Sequence, residues 1–301
     1  LYHIYSFTLN CGIMLEAGAH NVLIPNPRDI PGFAKELKNH KFSAFMGLNT
    51  LFVALCNNED FQDLDFSGLK LTASGGMALT SDTAKTWQRV TGTEICEGYG
   101  LTETSPVVTF NPPSSIQIGT IGLPVPNTLV KTLDDEGNET PIGEPGELCV
   151  KGPQVMHGYW QRPEDTRKAF TDDGYFKTGD IALIQEDGYL RIVDRKKDMI
   201  IVSGFNVYPN EVEDVVISHP NVVECAAVGI ADPKSGEAVK VYVVANKEGV
   251  SANELKEYCR ERLTAYKVPK HFEFRDELPK TNVGKILRRE LRDEANKEHK
   301  G

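Results

Sequence analysis

The last hundred residues constrain the fold most. After the charged run Asp194-Arg195-Lys196-Lys197-Asp198 they follow the order β-α-β-β-α-β. Met199–Val202 reads as a strand, Pro209–His219 as a helix with Pro near its start, and Val222–Ile230 and Val239–Ala245 as strands. Ser251-Ala252-Asn253-Glu254 is a capping box that opens a helix to about Leu263, because its hydroxyl and carboxylate satisfy backbone N–H groups reciprocally. His271–Phe274 closes the pattern as a strand. This split βαβ order belongs to a small independent α+β domain, so the charged run marks its boundary.

Upstream the texture differs. Up to about residue 110, short apolar runs alternate with helical patterns, as in a parallel α/β layer. Val22-Leu23-Ile24 and Ala44-Phe45-Met46 read as buried strands, and Ile30–Lys38 and Ser81–Val90 as helices, the second capped by Thr80 or Ser81. Leu69–Ala73 runs as a strand into Ser74-Gly75-Gly76; in open α/β sheets, ligands bind outside such strand ends. From about 115 to 193, turns at Asp134–Asn138 and Glu186-Asp187-Gly188 separate short strands, which predicts a small antiparallel sheet or barrel. A chain of 301 residues is too long for one core. The expected fold class is therefore α/β and α+β, multidomain. Residues 1–115 belong to a larger α/β domain, 116–194 to a β-rich, barrel-like subdomain, and 195–301 to an α+β domain.

The net charge of −10 argues against a nucleic-acid partner, which would require a basic face. It leaves room for small anions, because Arg195-Lys196-Lys197 can reverse the field at one cleft. Cys11, Cys56, Cys96, Cys149, Cys225 and Cys259 show neither a CxxC nor a zinc spacing; they read as core thiols in a reducing compartment, which favours the cytoplasm. The apolar stretch Ile4–Ile24 is broken by Asn10, Glu16, His20 and Asn21, so it does not suit a membrane span. The chain starts mid-pattern without Met or signal-peptide layout, which suggests a fragment.

Three segments carry chemistry. Tyr99-Gly100-Leu101-Thr102-Glu103 puts an aromatic face, a hydroxyl and a carboxylate on adjacent positions, suited to a base, a phosphate and Mg²⁺, although a strand followed by a polar loop also produces it. In Tyr175–Asp180 the final carboxylate could read a ribose diol or simply cap a turn. Gly284-Lys285 lacks the earlier glycine of a Walker A loop; a lone lysine there would open a surface helix, with Arg288 and Arg289 solvated. Gly146-Glu147-Leu148 with Gly158-Tyr159-Trp160 reads as structural, a strand between glycines with aromatics packed at its end.

Together, in this order, these segments resemble the adenylate-forming superfamily of acyl-CoA synthetases, adenylation domains and luciferases, over essentially the whole chain. The run Asp194–Glu213 is most similar to bacterial long-chain-fatty-acid–CoA ligases. The resemblance implies ATP-dependent activation of a fatty acid to acyl-AMP, with Mg²⁺, and transfer to CoA as co-substrate.

It also implies roles. Ser74, Gly75, Gly76, Glu97, Gly98, Tyr99 and Gly100 border the adenine; Thr102 and Glu103 take the phosphate and Mg²⁺ positions; Asp180 and Arg195 reach the ribose. Lys197 is the hinge of a mobile C-terminal lid, and Lys285 reaches the carboxylate and α-phosphate during adenylation. Ser203, Gly204 and Phe205 border the pantetheine tunnel, and His3, Tyr5 and Phe7 line the acyl pocket. The family's Ser/Thr/Gly-rich phosphate loop has no counterpart here, so the expectation is that the chain does not adenylate alone. An aryl- or medium-chain ligase and a non-catalytic nucleotide- or CoA-binding module are the alternatives. Peripheral contact with the inner membrane suits a fatty substrate, although no amphipathic basic helix argues for it, and a homodimer is equally compatible.

Overall fold

A computed structural model describes residues 1, 3–280 and 286–298. It divides into two compact units, Leu1–Thr178 with Ala182–Ile192, and Gly179–Ile181 with Val193–Gly301.

In the first unit, the short helix α1 (Ile4–Ser6) continues into a π-helical stretch, Phe7–Met14. The expected strand at Val22-Leu23-Ile24 is absent. Those residues form irregular chain, with Val22 and Leu23 left 40% and 58% exposed and no neighbouring strand to accept their backbone groups. Helix α2 (Ile30–Leu37), strand β1 (Ala44–Gly47), helices α3 (Asn49–Cys56) and α4 (Glu59–Gln62), strand β2 (Leu71–Ser74), helix α5 (Ser81–Thr91) and strand β3 (Ile95–Gly100) form the α/β layer. Strands β1, β2 and β3 pair in parallel. Strands β4 (Val107–Phe110) and β5 (Leu123–Pro124) extend the sheet antiparallel beyond β3. Thr80 caps α5 by accepting the Thr83 N–H, and Gly92 ends it at φ 74°.

The β-rich texture forms a four-stranded sheet in the order β6 (Leu129–Leu133), β7 (Gly146–Lys151), β8 (Phe176–Ile184), β9 (Leu190–Arg195), with helix α6 (Pro163–Ala169) between β7 and β8. All six cysteines are free, and all but Cys11 are buried.

In the second unit β10 (Ile200–Val202) and β11 (Phe205–Val207) form a hairpin, followed by α7 (Pro209–Ile217), β12 (Val222–Asp232), β13 (Gly236–Ala245), α8 (Ala252–Arg260), β14 (His271–Phe274) and α9 (Arg288–Glu298). The sheet order is β11-β10-β13-β12, with β14 parallel to β13. The two faces of β12 alternate. Cys225 and Ala227 join Val212, Val216, Leu255 and Cys259 on one side, whereas Ala226, Val228 and Ile230 join Tyr242, Leu291 and Ala295 on the other. Helices α7 and α8 therefore pack on the first face and α9 on the second. Burial on both faces explains why β12 reads as a continuous apolar run. Ser251 and Glu254 form the expected capping box. No helix among the described residues is long and apolar enough to cross a membrane.

The first core is organised around Trp87, fully buried, with ring centroids 5.3 Å from Phe45, 4.8 Å from Phe52 and 5.5 Å from Phe61. Its indole N–H donates to the buried Thr72 hydroxyl on β2 at 3.2 Å. Trp87→Ala should destabilise the first unit by about 3–5 kcal/mol through cavity formation and the lost donor. The expected result is a large fall in the urea midpoint of this unit.

Candidate functional site

Strand β2 ends at Ser74, where Gly76 takes φ 81°. Gly75 lies flat against the ring of Tyr5: a Cβ there would sit 3.2 Å from its Cε2. The Tyr5 hydroxyl donates to the Ala73 carbonyl at 3.1 Å, and burial pushes its pKa well above the ordinary value. Tyr5 thus joins the glycine turn. His3 caps α1 by accepting the Tyr5 N–H at Nδ1 and stays exposed, as does Phe7 at 59%. The Ser74 hydroxyl is buried without a hydrogen-bond partner, a polar atom left for a ligand or water at the turn.

Glu97, Gly98, Tyr99 and Gly100 form the end of β3, beside β2. Gly100 is required by close approach, since a Cβ would fall 2.0 Å from the Pro106 carbonyl oxygen. The following loop is pinned by Thr104, fully buried: its hydroxyl accepts from the Leu101 N–H at 3.0 Å and donates to the Pro106 carbonyl. Thr102 is left exposed beside Glu103. The Glu103 carbonyl accepts from the Met156 N–H at 2.8 Å, and its Oε1 accepts from the Tyr159 hydroxyl at 3.0 Å. One carboxylate fits Mg²⁺, which binds through one or two carboxylates and completes its shell with water and substrate phosphate oxygens.

The second unit holds the other group. Arg195 Nε lies 3.9 Å from Asp180 Oδ1, with the Asp180 side chain only 16% exposed. Lys197 sits in the 3₁₀ turn Lys196–Asp198, its carbonyl accepting from Arg292 Nη1 at 3.0 Å. Ser203 and Gly204, at φ 53° and 83°, form the two-residue turn of the β10–β11 hairpin. Phe205 stacks on Tyr266 at 4.8 Å. Beside them opens a groove of about 490 Å³, lined by Ser203, Tyr266, Lys256, Arg260 and Lys270 among others.

Lys285 lies outside the described residues. Lys280 and Ile286 pair across its segment, and the Leu287 N–H donates to the Pro279 carbonyl at 2.8 Å. Arg288 is not the solvated residue that a surface helix would carry. Its Nε donates to Glu213 Oε1 at 2.9 Å, its Nη2 reaches Glu213 and Asn210, and its Nη1 lies 3.9 Å from the buried Asp194. Arg289, by contrast, is 85% exposed.

Sequence reasoning missed Tyr159, Thr104 and Asn111. The fully buried Asn111 side chain donates to the carbonyls of Glu97 and Thr120, fixing β3 from its far side. The structural reading of Gly158-Tyr159-Trp160 does not hold, because Tyr159 is 39% and Trp160 87% exposed. Neither completes a core. Nothing in the spacing marks Thr104 or Asn111, whose roles depend on tertiary contacts.

Residues 1–160 match the family described as AMP-binding enzyme, and residues 211–285 match the AMP-binding enzyme C-terminal domain. The chain is 59% identical over 98% of its length to a long-chain-fatty-acid–CoA ligase of Escherichia coli O6:H1, covering 53% of that protein. It is 56% identical over 98% of its length to a long-chain-fatty-acid–CoA ligase of Haemophilus influenzae, covering 52%. It spans about half the length of these curated relatives. Among solved structures, ATP-bound MatB from Rhodopseudomonas palustris superposes with a TM-score of 0.90 at 32% identity, over 97% of this chain and 58% of the other.

Burial shifts the pKa of one carboxyl of the candidate site, Glu97, upward. Glu97 is 8% exposed, and its Oε1 accepts from the Leu79 N–H at 3.0 Å. Burial raises its pKa from 4.5 to about 7, against the lowering effect of that bond. Between those values the folded chain holds a proton that the unfolded chain has released, so Glu97 makes stability fall as pH rises, by up to about 1.4 kcal/mol per pH unit. Glu97→Gln keeps the acceptor and removes the titration. The stability gain of the variant over the parent should therefore grow from pH 5 to pH 7.5 in urea unfolding. Parallel pH profiles would show that this carboxyl does not control the slope.

Proposed function

Because the chain belongs to the AMP-binding enzyme family, we propose that it supplies the adenosine-binding part and the lid of an ATP-dependent ligase joining a long-chain fatty acid to CoA. The observation that carries this reading is the Asp180–Arg195 pair, a largely buried carboxylate suited to accept from a ribose diol with a guanidinium 3.9 Å away. The identity to long-chain-fatty-acid–CoA ligases across nearly the whole chain supports the substrate class.

In this proposal the turn at Ser74, Gly75 and Gly76 and the strand end at Glu97, Gly98, Tyr99 and Gly100 receive the adenine, while Asp180 and Arg195 receive the ribose. The glycines let backbone approach the ring, and the unpartnered Ser74 hydroxyl offers one polar contact. Thr102 donates to phosphate. Mg²⁺, held by Glu103, would offset charge on the phosphate oxygens. A fatty carboxylate is already ionised at neutral pH, so its oxygen attacks the α-phosphorus without a general base. The bond to pyrophosphate breaks as the acyl-phosphate bond forms. Lys285 serves as the point charge that offsets repulsion between the two anions. In the second step the CoA sulfur attacks the acyl carbon, the thiol proton leaves to solvent and AMP departs.

The second-unit groove suits this step. Lys256, Arg260 and Lys270 offer cations for the phosphates of CoA beside Ser203, Gly204 and Phe205, which border the path of the pantetheine. Tyr5 lies at the turn where the acyl group would meet the nucleotide, with His3 and Phe7 on the same N-terminal segment. Lys197 is the hinge about which the lid of residues 195–301 would swing, and this separates the two steps and keeps acyl-AMP dry.

The test uses a polypeptide of the relatives' full length that carries this sequence. Lys285→Ala should lower ATP–pyrophosphate exchange by about 10²–10³-fold, the usual cost of one preorganised charge, and largely spare thioester formation from supplied acyl-AMP. Normal exchange in this variant would remove Lys285 from its role. Fatty acids of graded length against an aryl acid, scored by CoA-thioester formation, test the substrate class; preference for the aryl acid would overturn it.

A further inference from the structure

Glu103 is approached twice by one loop. The segment between β7 and α6 donates the Met156 N–H to its carbonyl and the Tyr159 hydroxyl to its carboxylate. This loop is itself built. The Tyr159 N–H donates to the Thr166 hydroxyl at 2.9 Å, and that hydroxyl donates to the Arg162 carbonyl at 2.9 Å, which anchors Tyr159 to the first turn of α6. Gly158, at φ 155°, makes the fit possible, because a Cβ there would lie 2.7 Å from Thr166 Cγ2. The phenol is thus held from behind and offered to a single oxygen of Glu103.

We infer that Tyr159 is a positioning residue that occupies Oε1 of Glu103 and leaves Oε2 as a one-oxygen ligand for Mg²⁺. This rests on the proposed role of Glu103 in metal binding. A free glutamate samples many rotamers, and a hydrogen bond to its carboxylate offsets part of the ordering cost before the metal arrives. The geometry also discriminates between metals. Mg²⁺ requires a near-ideal octahedron that one carboxylate oxygen satisfies, whereas Ca²⁺ readily takes both oxygens of a carboxylate. A phenol on Oε1 opposes the two-oxygen mode, so Tyr159 favours the smaller ion. Partners that orient metal ligands commonly change affinity about 10–100-fold when removed.

The experiment measures ATP binding, in a polypeptide of the relatives' full length that carries this sequence, by titration calorimetry at a series of Mg²⁺ and, separately, Ca²⁺ concentrations. Tyr159→Phe keeps the ring and removes the donor, and Glu103→Gln serves as the reference. Tyr159→Phe should raise the Mg²⁺ concentration at half-effect about 10-fold, leave the Ca²⁺ requirement nearly unchanged, and keep the thermal midpoint of the parent. A purely structural role would lower the midpoint and leave the metal curves in place. The inference is overturned if Glu103→Gln shifts the Mg²⁺ curve and Tyr159→Phe does not, or if Tyr159→Phe shifts both metals equally. All variants are made in that full-length polypeptide; the reading beneath the inference fails instead if Glu103→Gln leaves its Mg²⁺ curve unmoved, or if that parent binds ATP with no dependence on Mg²⁺.

Discussion

Arg288 stands in the first turn of a helix, where the backbone N–H groups already present positive potential and a cation is disfavoured. It is held there by two carboxylates, Glu213 on α7 and the buried Asp194, with Asn210 filling a further donor position. One guanidinium facing two acids leaves an excess of negative charge, and burial pushes the pKa of both Asp194 and Glu213 upward. Removing the arginine would leave both carboxylates stranded, and that is the costly way to disturb a buried ion group. Leu291 and Ala295 follow Arg288 at helical spacing and pack beneath the sheet, while Arg292 reaches the carbonyl of Lys197 and the carboxylate of Asp198. The cluster therefore sets the register of α9 and ties the start of that helix to the segment 194–198. Much of the second unit takes its position from this one desolvated group.

The second unit was legible because its constraints are local. The capping box at Ser251, the Pro at the start of α7 and the alternation along β12 each name their own structure. Helix α9 was legible only as a surface helix, since it has few apolar residues; among the described ones Leu291 and Ala295 are buried against the sheet. Hairpin strand β11 was missed for a different reason: Phe205 and Asn206 are exposed, so no apolar alternation marks it. In the first unit Ala44-Phe45-Met46 and Val22-Leu23-Ile24 look alike as short apolar runs, yet only the first finds a neighbour, with Phe45 opposite Thr72 on β2. A three-residue run does not carry its pairing partner within it.

The site divides along the same line. Glycines at positions 75, 76, 98 and 100 announce close approach, and the structure explains two of them by the Tyr5 ring and the Pro106 carbonyl. The Asp180–Arg195 pair was legible only through resemblance, because fourteen residues of β8, turn and β9 separate two side chains that end 3.9 Å apart. Tyr159 escaped because an aromatic beside glycines suits a core equally well. Only its exposure distinguishes the two uses.

The groove beside Ser203 sets a local sign against a global one. The chain carries a net charge of −10, yet Lys256, Arg260 and Lys270 line one opening, Lys270 held 3.0 Å from Asp232 and Arg260 paired with Glu257. At physiological ionic strength the Debye length is about 8 Å, so a polyanion a few nanometres away is screened from both charges. Attraction begins only when the ligand is already at the mouth, where low-dielectric walls focus the field. Any capture there would be short-ranged and selective for position: a body acidic enough to repel extended polyanions can still admit a compact one that exchanges with the paired acids at the mouth.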